Sequence, residues 1–366
     1  MLVQTKAALF HAVGRPLELV ELDLDEPRAD EVVVRMAAAG ICGTDLHQVK
    51  GEFRRPTPMV LGHEGAGTVE FVGDAVTRVR PGDEVVLSWA PGCGDCPGCR
   101  RGRPATCRVL NAAIPQGTLP DGRTGMSYRG KTVYRGTATG CFAERVVLSE
   151  RAVLPVSGVP LSEAALLGCA ALTGVGAALY AGRVADGASV LVVGAGGVGQ
   201  FVVQGARIAG ARTIVVCDPF DARREQSLLV GATHSADPDS LDAILLEAAP
   251  EGVDFAFDAV GSPSTVATAL RHTADGGQTV VVGLPAAGER YEIDPFELIR
   301  KEKRLTGTLY GSLDPTVALP ELLRFVDAGR LELRRLIGER YPFEQIDDAI
   351  AASLEGSAGR VLVTFG

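Results

Sequence analysis

Four cysteines stand within one short segment, CGDCPGCRRGRPATC, as Cys93, Cys96, Cys99 and Cys107. Thiolates at such loop spacings can wrap a tetrahedral Zn2+ with every coordination position filled. Gly94, Pro97 and Gly98 supply the turns that wrapping needs. A closed site of this kind does no chemistry on a substrate; it stabilises its own loop. A second set of candidate ligands is scattered. Cys42 lies in AAGICGTDLH, His63 in LGHEGAG and Cys169 in LLGCAAL. Two cysteines and a histidine from separate elements, with a fourth position open, form a ligand pattern of catalytic zinc. A lone histidine in an apolar stretch is ordinarily a satisfied core residue, and spacing this wide does not by itself bring the three together.

The segment VLVVGAGGVGQ sets Gly194, Gly196 and Gly199 in a G-x-G-x-x-G pattern, after an apolar run and at the start of a helical one. In that context the first glycine permits a tight turn, the second lets backbone approach a pyrophosphate, and the third lets helix and strand pack closely. Phosphates then sit at the helix N-terminus, where free N–H groups and the helix dipole favour anions. Asp218 ends the next apolar run, about twenty residues on, where a carboxylate accepts from the adenosine ribose hydroxyls and repels a 2′-phosphate. This favours NAD over NADP, with Arg223 and Arg224 close by as the opposing signal. Gly197 and Val198 in the loop, and Val260, Val282 and Leu284 after later apolar runs, complete the expected coenzyme contacts.

Elements must hold these groups in place. Residues 1–155 alternate short apolar runs with Gly, Pro and Asp turns, as in EVVVRMAAAG, GAGTVEFVGDAV and GDEVVLSW, which predicts a barrel-like β unit. From about residue 162 the period changes, and SEAALLGCAALTGVGAALY predicts one long apolar helix. Strands and helices then alternate: ASVLVVGAG, GVGQFVVQGARIAG, RTIVVCD, ARREQSLLVGA, VDFAFDAV, SPSTVATALRHT and GQTVVVGLP. That alternation predicts a parallel sheet covered by helices on both faces. Past residue 310 come helical VALPELLRFVDAG and a last strand, GRVLVTFG.

Composition bounds the function. A chain of 366 residues is long enough for two domains. A net charge of −9 argues against a nucleic-acid surface, and the one basic run, RKEKR at 300–304, reads as a solvated helix end. The apolar stretches 164–181 and 188–209 read as buried elements rather than membrane spans. The N-terminus shows no secretory leader, and eight cysteines without a disulfide framework point to the cytoplasm.

In their order along the chain, CGTDLH, GHEGAG, the four-cysteine segment, the GC at 168–169, GAGGVG and GRVLVTF resemble the zinc-dependent medium-chain alcohol dehydrogenases over nearly the whole length. The resemblance implies an α/β protein with a GroES-like β-rich catalytic domain (1–165 with 310–366) and a Rossmann coenzyme domain (166–309). The active site would lie between them. It implies catalytic zinc on Cys42, His63 and Cys169, structural zinc on the four-cysteine segment, and NAD as hydride carrier. Glu64 matches an acid able to approach the metal, and Asp45 the carboxylate that orients the histidine ligand. Bound zinc acidifies an alcohol hydroxyl, and the proton then needs a way out of the cleft; Thr44 and His47 match the family's relay. Arg360 matches an arginine on the pyrophosphate, whereas Gly43 departs from the basic residue many members carry there. Trp89 falls where members place an aromatic wall of the substrate pocket.

Three stretches, CDPFDARREQSLLVGATH, TGTLYGSLDPTVALPELLRFVDAGRLEL and 108–140, are similar to actinobacterial branches. Those branches include nicotinoprotein alcohol dehydrogenases, which keep NAD bound, and mycothiol-dependent formaldehyde dehydrogenases. The expectation is a homo-oligomer, dimer or tetramer, that interconverts a primary or aromatic alcohol and its aldehyde. A zinc-free quinone reductase, or a non-enzymatic dinucleotide-binding protein of the crystallin kind, would have no need of Cys42, His63, Cys169, Thr44 and His47 together.

Overall fold

The computed structural model describes residues 3–366. Its N-terminal part is built on the strand Glu31–Gly40, whose run of Val and Ala is almost wholly buried. This strand is long enough to serve several partners. On one side it pairs antiparallel with Glu64–Val72. On the other, its first half pairs with Arg145–Ser149 and its last residues pair with Arg360–Thr364 from the end of the chain. Register shifts between Val33 and Val34 and between Met36 and Ala38 bend it, as bulges do. A second, six-stranded sheet of Val3–Phe10, Glu18–Leu24 and four short strands closes the barrel-like unit.

Strands Ser189–Val193, Thr213–Cys217, His234–Ala236, Val253–Asp258, Thr273–Val281 and Arg304–Gly307 form one parallel sheet. In space the third, second and first strands are followed by the fourth, fifth and sixth, the doubly wound order of dinucleotide-binding folds. The strand direction of winding reverses between Ser189–Val193 and Val253–Asp258, so a crevice opens past their C-terminal ends. His234–Ala236 and Arg304–Gly307 were not legible in the sequence. Both are short edge strands, and neither has a run of β-branched apolar residues.

The long helix expected from residue 162 is broken. Leu161–Ala164 and the tight turn Ala165–Gly168 end at Cys169, whose backbone (φ −147°, ψ −69°) is not helical, and a new helix starts at Ala170. The two pieces meet at 51°. The first packs on the strands Glu31–Gly40 and Glu64–Val72 and the second on the helix Gly197–Ile208. Hydrophobic periodicity passes through the break because both pieces are buried on nearly every side. Among the described residues no single helix is long and apolar enough to cross a membrane. The basic run at 300–304 is not uniformly solvated. Lys303 is buried, and its Nζ donates to the Leu270 carbonyl at 2.9 Å, satisfying the end of the helix Pro263–His272.

Candidate active site

The pairing of Gly40 with Glu64 sets the site. Cys42 lies two residues beyond one strand and His63 one residue before the other, so the register brings them to the same end of the sheet. The break at Cys169 supplies the third group. The Sγ atoms of Cys42 and Cys169 and a ring nitrogen of His63 all lie within 4.8 Å of one another, and all three residues are buried. A soft Cys2His donor set that converges this closely fits zinc with a position left open.

Asp45 holds the histidine. It lies on the short helix Gly43–Val49, and its buried carboxylate accepts three hydrogen bonds. Oδ1 takes the Gly62 amide at 3.1 Å and His63 Nδ1 at 3.2 Å, and Oδ2 takes the Cys42 amide at 3.1 Å. Nε2 of His63 is thereby left as the ligand nitrogen. Burial draws the His63 pKa down, but Asp45 and Cys42 together hold it well above its ordinary value. The thiol of Cys169 is the main group holding Cys42 low, and Cys169 is raised in turn by the same contact. A divalent cation bound by these three groups would displace their protons.

Glu64 is fully buried, and its Oε2 accepts from the Ala170 amide at 3.0 Å and from Arg360 Nη2 at 3.2 Å. Its Oε1 lies 2.9 Å from Arg360 Nε but off the N–H axis. Burial pushes the Glu64 carboxyl up to about 7 against the pull of Arg360. Arg360, opposed by its own burial, is held above its ordinary value by the same carboxylate. The ion pair is the state that accounts for both, since a guanidinium does not give up its proton in a protein. Arg360 is engaged on one side by Glu64 and the Ile41 carbonyl (2.9 Å), and it also lines the cavity. It does border the phosphate loop, because a Cβ on Gly197 would lie 2.9 Å from its Cζ.

A cavity of about 420 Å3 runs from the three ligands to the coenzyme crevice. Thr44, His47 and Trp89 line one part of it; Gly196, Gly197, Val198, Val260, Val282, Leu284 and Arg223 line the other. Gly194 and Gly199 lie beneath the loop. Gly194 has φ 92°, and a Cβ on Gly199 would fall 1.8 Å from the Gly194 carbonyl oxygen. By contrast a Cβ on Gly196 would meet nothing within 4 Å, which leaves the approach open on the side where a pyrophosphate would sit. Asp218 is buried at the end of its strand and accepts from the Ala195 amide at 2.7 Å and the Phe220 amide at 2.9 Å. Arg224 donates to the Asp218 carbonyl, and Arg223 donates to the Ser357 carbonyl at 3.1 Å.

Thr44 and His47 are three residues apart on the helix, hence on neighbouring positions of one face. Glu52 occupies Nδ1 of His47, and the ring packs against Phe53. Sequence reading missed Tyr310. It follows a strand without element periodicity of its own and takes a left-handed backbone (φ 56°), with only the following glycine to signal a turn. Its ring lies 4.8 Å from that of Trp89, and its hydroxyl donates to the Gly168 carbonyl, next to Cys169, at 2.5 Å.

At the four-cysteine segment the ligand atoms again lie within 4.8 Å of one another. Backbone amides point at the sulfurs: Cys93 N is 3.3 Å from Cys107 Sγ, and Cys96 N is 3.4 Å from Cys93 Sγ. Such donors, chiefly the Cys99 amide, hold the Cys96 thiol down at about 6, whereas burial pushes Cys99 up to about 12. Amides turned toward clustered sulfurs favour thiolates, the form that binds metal.

An alcohol dehydrogenase GroES-like domain model matches residues 28–158, and a zinc-binding dehydrogenase model matches residues 197–328. The chain is 39% identical over 351 residues to putative alcohol dehydrogenase D of Mycobacterium tuberculosis, covering 94% of this chain and 95% of that protein. It is 39% identical over 354 residues to the NDMA-dependent alcohol dehydrogenase of Amycolatopsis methanolica, with the same coverage. The chain belongs to the zinc-dependent medium-chain alcohol dehydrogenase family. Among solved structures it superposes on benzyl alcohol dehydrogenase of Acinetobacter calcoaceticus with a TM-score of 0.94, 31% identity and 100% of both chains covered. An alcohol dehydrogenase zinc-binding domain protein of Burkholderia ambifaria gives 0.94 at 34% identity, again over 100% of both chains. The protein is thus an enzyme that interconverts small-molecule alcohols and aldehydes, with zinc and a nicotinamide dinucleotide as cofactors.

Proposed function

We propose that this dehydrogenase oxidises a primary or aromatic alcohol, or reduces the aldehyde, with NAD, and that it carries two zinc ions in different roles. The observation that carries the reading is the convergence of Cys42, His63 and Cys169 in a cavity whose other end is the glycine loop. Zinc bound there supplies Lewis acidity that lowers the pKa of an alcohol hydroxyl, and NAD supplies the hydride acceptor.

The chain's own residues do the rest. Asp45 fixes the His63 ring, and Trp89 and Tyr310 form an aromatic wall that suits an aryl group. Thr44, lining the cavity, accepts the hydroxyl proton as it releases its own toward His47. His47, half-exposed one turn on, passes it toward solvent through Nε2, the nitrogen Glu52 leaves free. Asp218 retains a second lone pair on each oxygen for the ribose hydroxyls. Of the two arginines that could hold a 2′-phosphate, Arg223 lies 3.7 Å from the Asp218 carboxylate and Arg224 pairs with Asp221, which supports NAD. The return of Arg360–Thr364 to the catalytic sheet supports dividing the chain near residues 165 and 310. The eight free thiols, six of them in the two clusters, support a cytoplasmic enzyme, and we infer a homo-oligomer.

A second reading, in which the nucleotide stays bound and electrons pass to another acceptor, is favoured by the 39% identity to an NDMA-dependent relative. One preparation separates the two. Benzyl alcohol turnover with added NAD and no other acceptor supports exchange. Nucleotide that copurifies, seen by absorbance and mass, with turnover only when an acceptor is added, supports retention. Zinc-replete protein that turns over neither benzyl alcohol nor benzaldehyde under either condition refutes both.

A further inference from the structure

Arg55 is a cation on the cavity wall that makes no ion pair among the described residues. It lines the same cavity as Cys42, His63 and Cys169 and is only partly exposed. Among the described residues its one hydrogen bond runs from Nη1 to Thr137 Oγ1 at 3.3 Å, and it makes no ion pair. The acids nearby are occupied. Glu52 holds His47, and Asp45 accepts from two amides and His63 and makes no ion pair with Arg55 among the described residues. Burial draws the Arg55 pKa below its ordinary value, and the charge of Asp45 offsets this only in part.

The guanidinium is nevertheless held in place. Phe53 lies beneath it, 5.3 Å from ring centroid to Cζ. Thr137 has a left-handed backbone (φ 49°) that the chain around it fixes. Arg135, wholly buried, donates from Nη1 to the Thr139 carbonyl at 2.8 Å and so pins the segment that presents Thr137. Of five guanidinium N–H groups, four remain for a ligand. Much of the surrounding wall is apolar: Leu46, Trp89, Ile114 and Leu309. A neutral substrate filling this space would bury an unpaired cation, which costs free energy, whereas an anionic one would pair it.

We propose that Arg55 is the specificity determinant for the end of the substrate away from the reacting carbon, and that the preferred substrates are primary alcohols or aldehydes carrying a carboxylate. The carboxylate accepts charge-assisted hydrogen bonds from the guanidinium, a fork that matches its geometry. This rests on the alcohol dehydrogenase reading of the same cavity.

The test compares 4-(hydroxymethyl)benzoate with 4-methylbenzyl alcohol, which is similar in shape and neutral, in wild type, Arg55→Leu and Arg55→Lys. Wild type should favour the carboxylate. Arg55→Leu should lower kcat/KM for the carboxylate by about ten- to a hundredfold and raise it for the neutral alcohol, which no longer buries an unpaired cation, with the KM for NAD unchanged. Arg55→Lys should fall between, because it keeps the charge and loses the fork. Benzoate binding, read by the fluorescence of Trp89, the chain's one tryptophan, should weaken in Arg55→Leu by the same factor. That measurement decides the role of Arg55 even if neither alcohol turns over, an outcome that would refute the dehydrogenase reading separately. An equal fall for both alcohols, a rise in KM for NAD in place of a substrate effect, or benzoate binding that ignores the substitution would overturn the proposal.

Discussion

Asp45→Asn tests the geometry of the site with one nearly isosteric change. The wild-type carboxylate, 3% exposed, accepts from Gly62 N and His63 Nδ1 through one oxygen and from Cys42 N through the other. Asparagine has a single acceptor oxygen. If that oxygen keeps Gly62 and His63, the new NH2 faces the Cys42 amide, donor against donor. If the amide flips, two donors are opposed instead of one. The first arrangement is the cheaper, so the loss is one buried unpaired amide, about 1–3 kcal/mol of folding stability. The imidazole also loses its charged partner, and removing such outer support costs about 10- to 100-fold in metal affinity. The assays are denaturant unfolding of the metal-free chain, chelator competition for zinc, and turnover. The variant should keep the four-cysteine zinc, release the other more readily, and regain part of its activity with added zinc. A variant that holds both ions as tightly as wild type, at unchanged turnover, would show that Asp45 does not position His63.

Cys169→Ser should abolish turnover while the fold and one zinc per chain survive, whereas Cys99→Ser should chiefly lower thermal stability; metal content, melting and kinetics on the same samples separate these, and equal destabilisation without selective loss of catalysis would rule out two roles. Asp218→Gly should weaken NAD and improve NADP relative to it, because the ribose acceptor and the repulsion of a 2′-phosphate go together; a clear wild-type preference for NADP in steady-state kinetics would contradict this. His47→Gln should keep zinc and coenzyme and lose turnover at neutral pH, by up to about a hundredfold if a full general-base contribution is removed. Imidazole buffer or higher pH should restore part of that loss, and Thr44→Ser should be milder than Thr44→Ala. An unchanged pH–rate profile for His47→Gln, with hydride transfer rate-limiting, would remove His47 from the proton path.

What the sequence determined by itself is what short spacing encodes. Cys93, Cys96, Cys99 and Cys107 lie in one loop whose turns nearly dictate that their sulfurs meet, and Gly194, Gly196 and Gly199 describe a turn between a strand and its own helix. Asp218 ends the next strand over, so its place follows from the βαβ unit. The catalytic ligands are different. Cys42, His63 and Cys169 meet because Gly40 pairs with Glu64 and because a helix breaks at one residue. Strand register and a buried break leave little local trace in the chain, since apolar runs look alike on both sides of either. The same holds for Arg360, which reaches Glu64 only through the return of the last strand, and for Tyr310, placed behind Trp89 by a left-handed turn. The isolation of Arg55 lies furthest from the sequence. Nothing local shows that a charge lacks a partner; only the packed structure, with every neighbouring carboxylate already engaged, decides that.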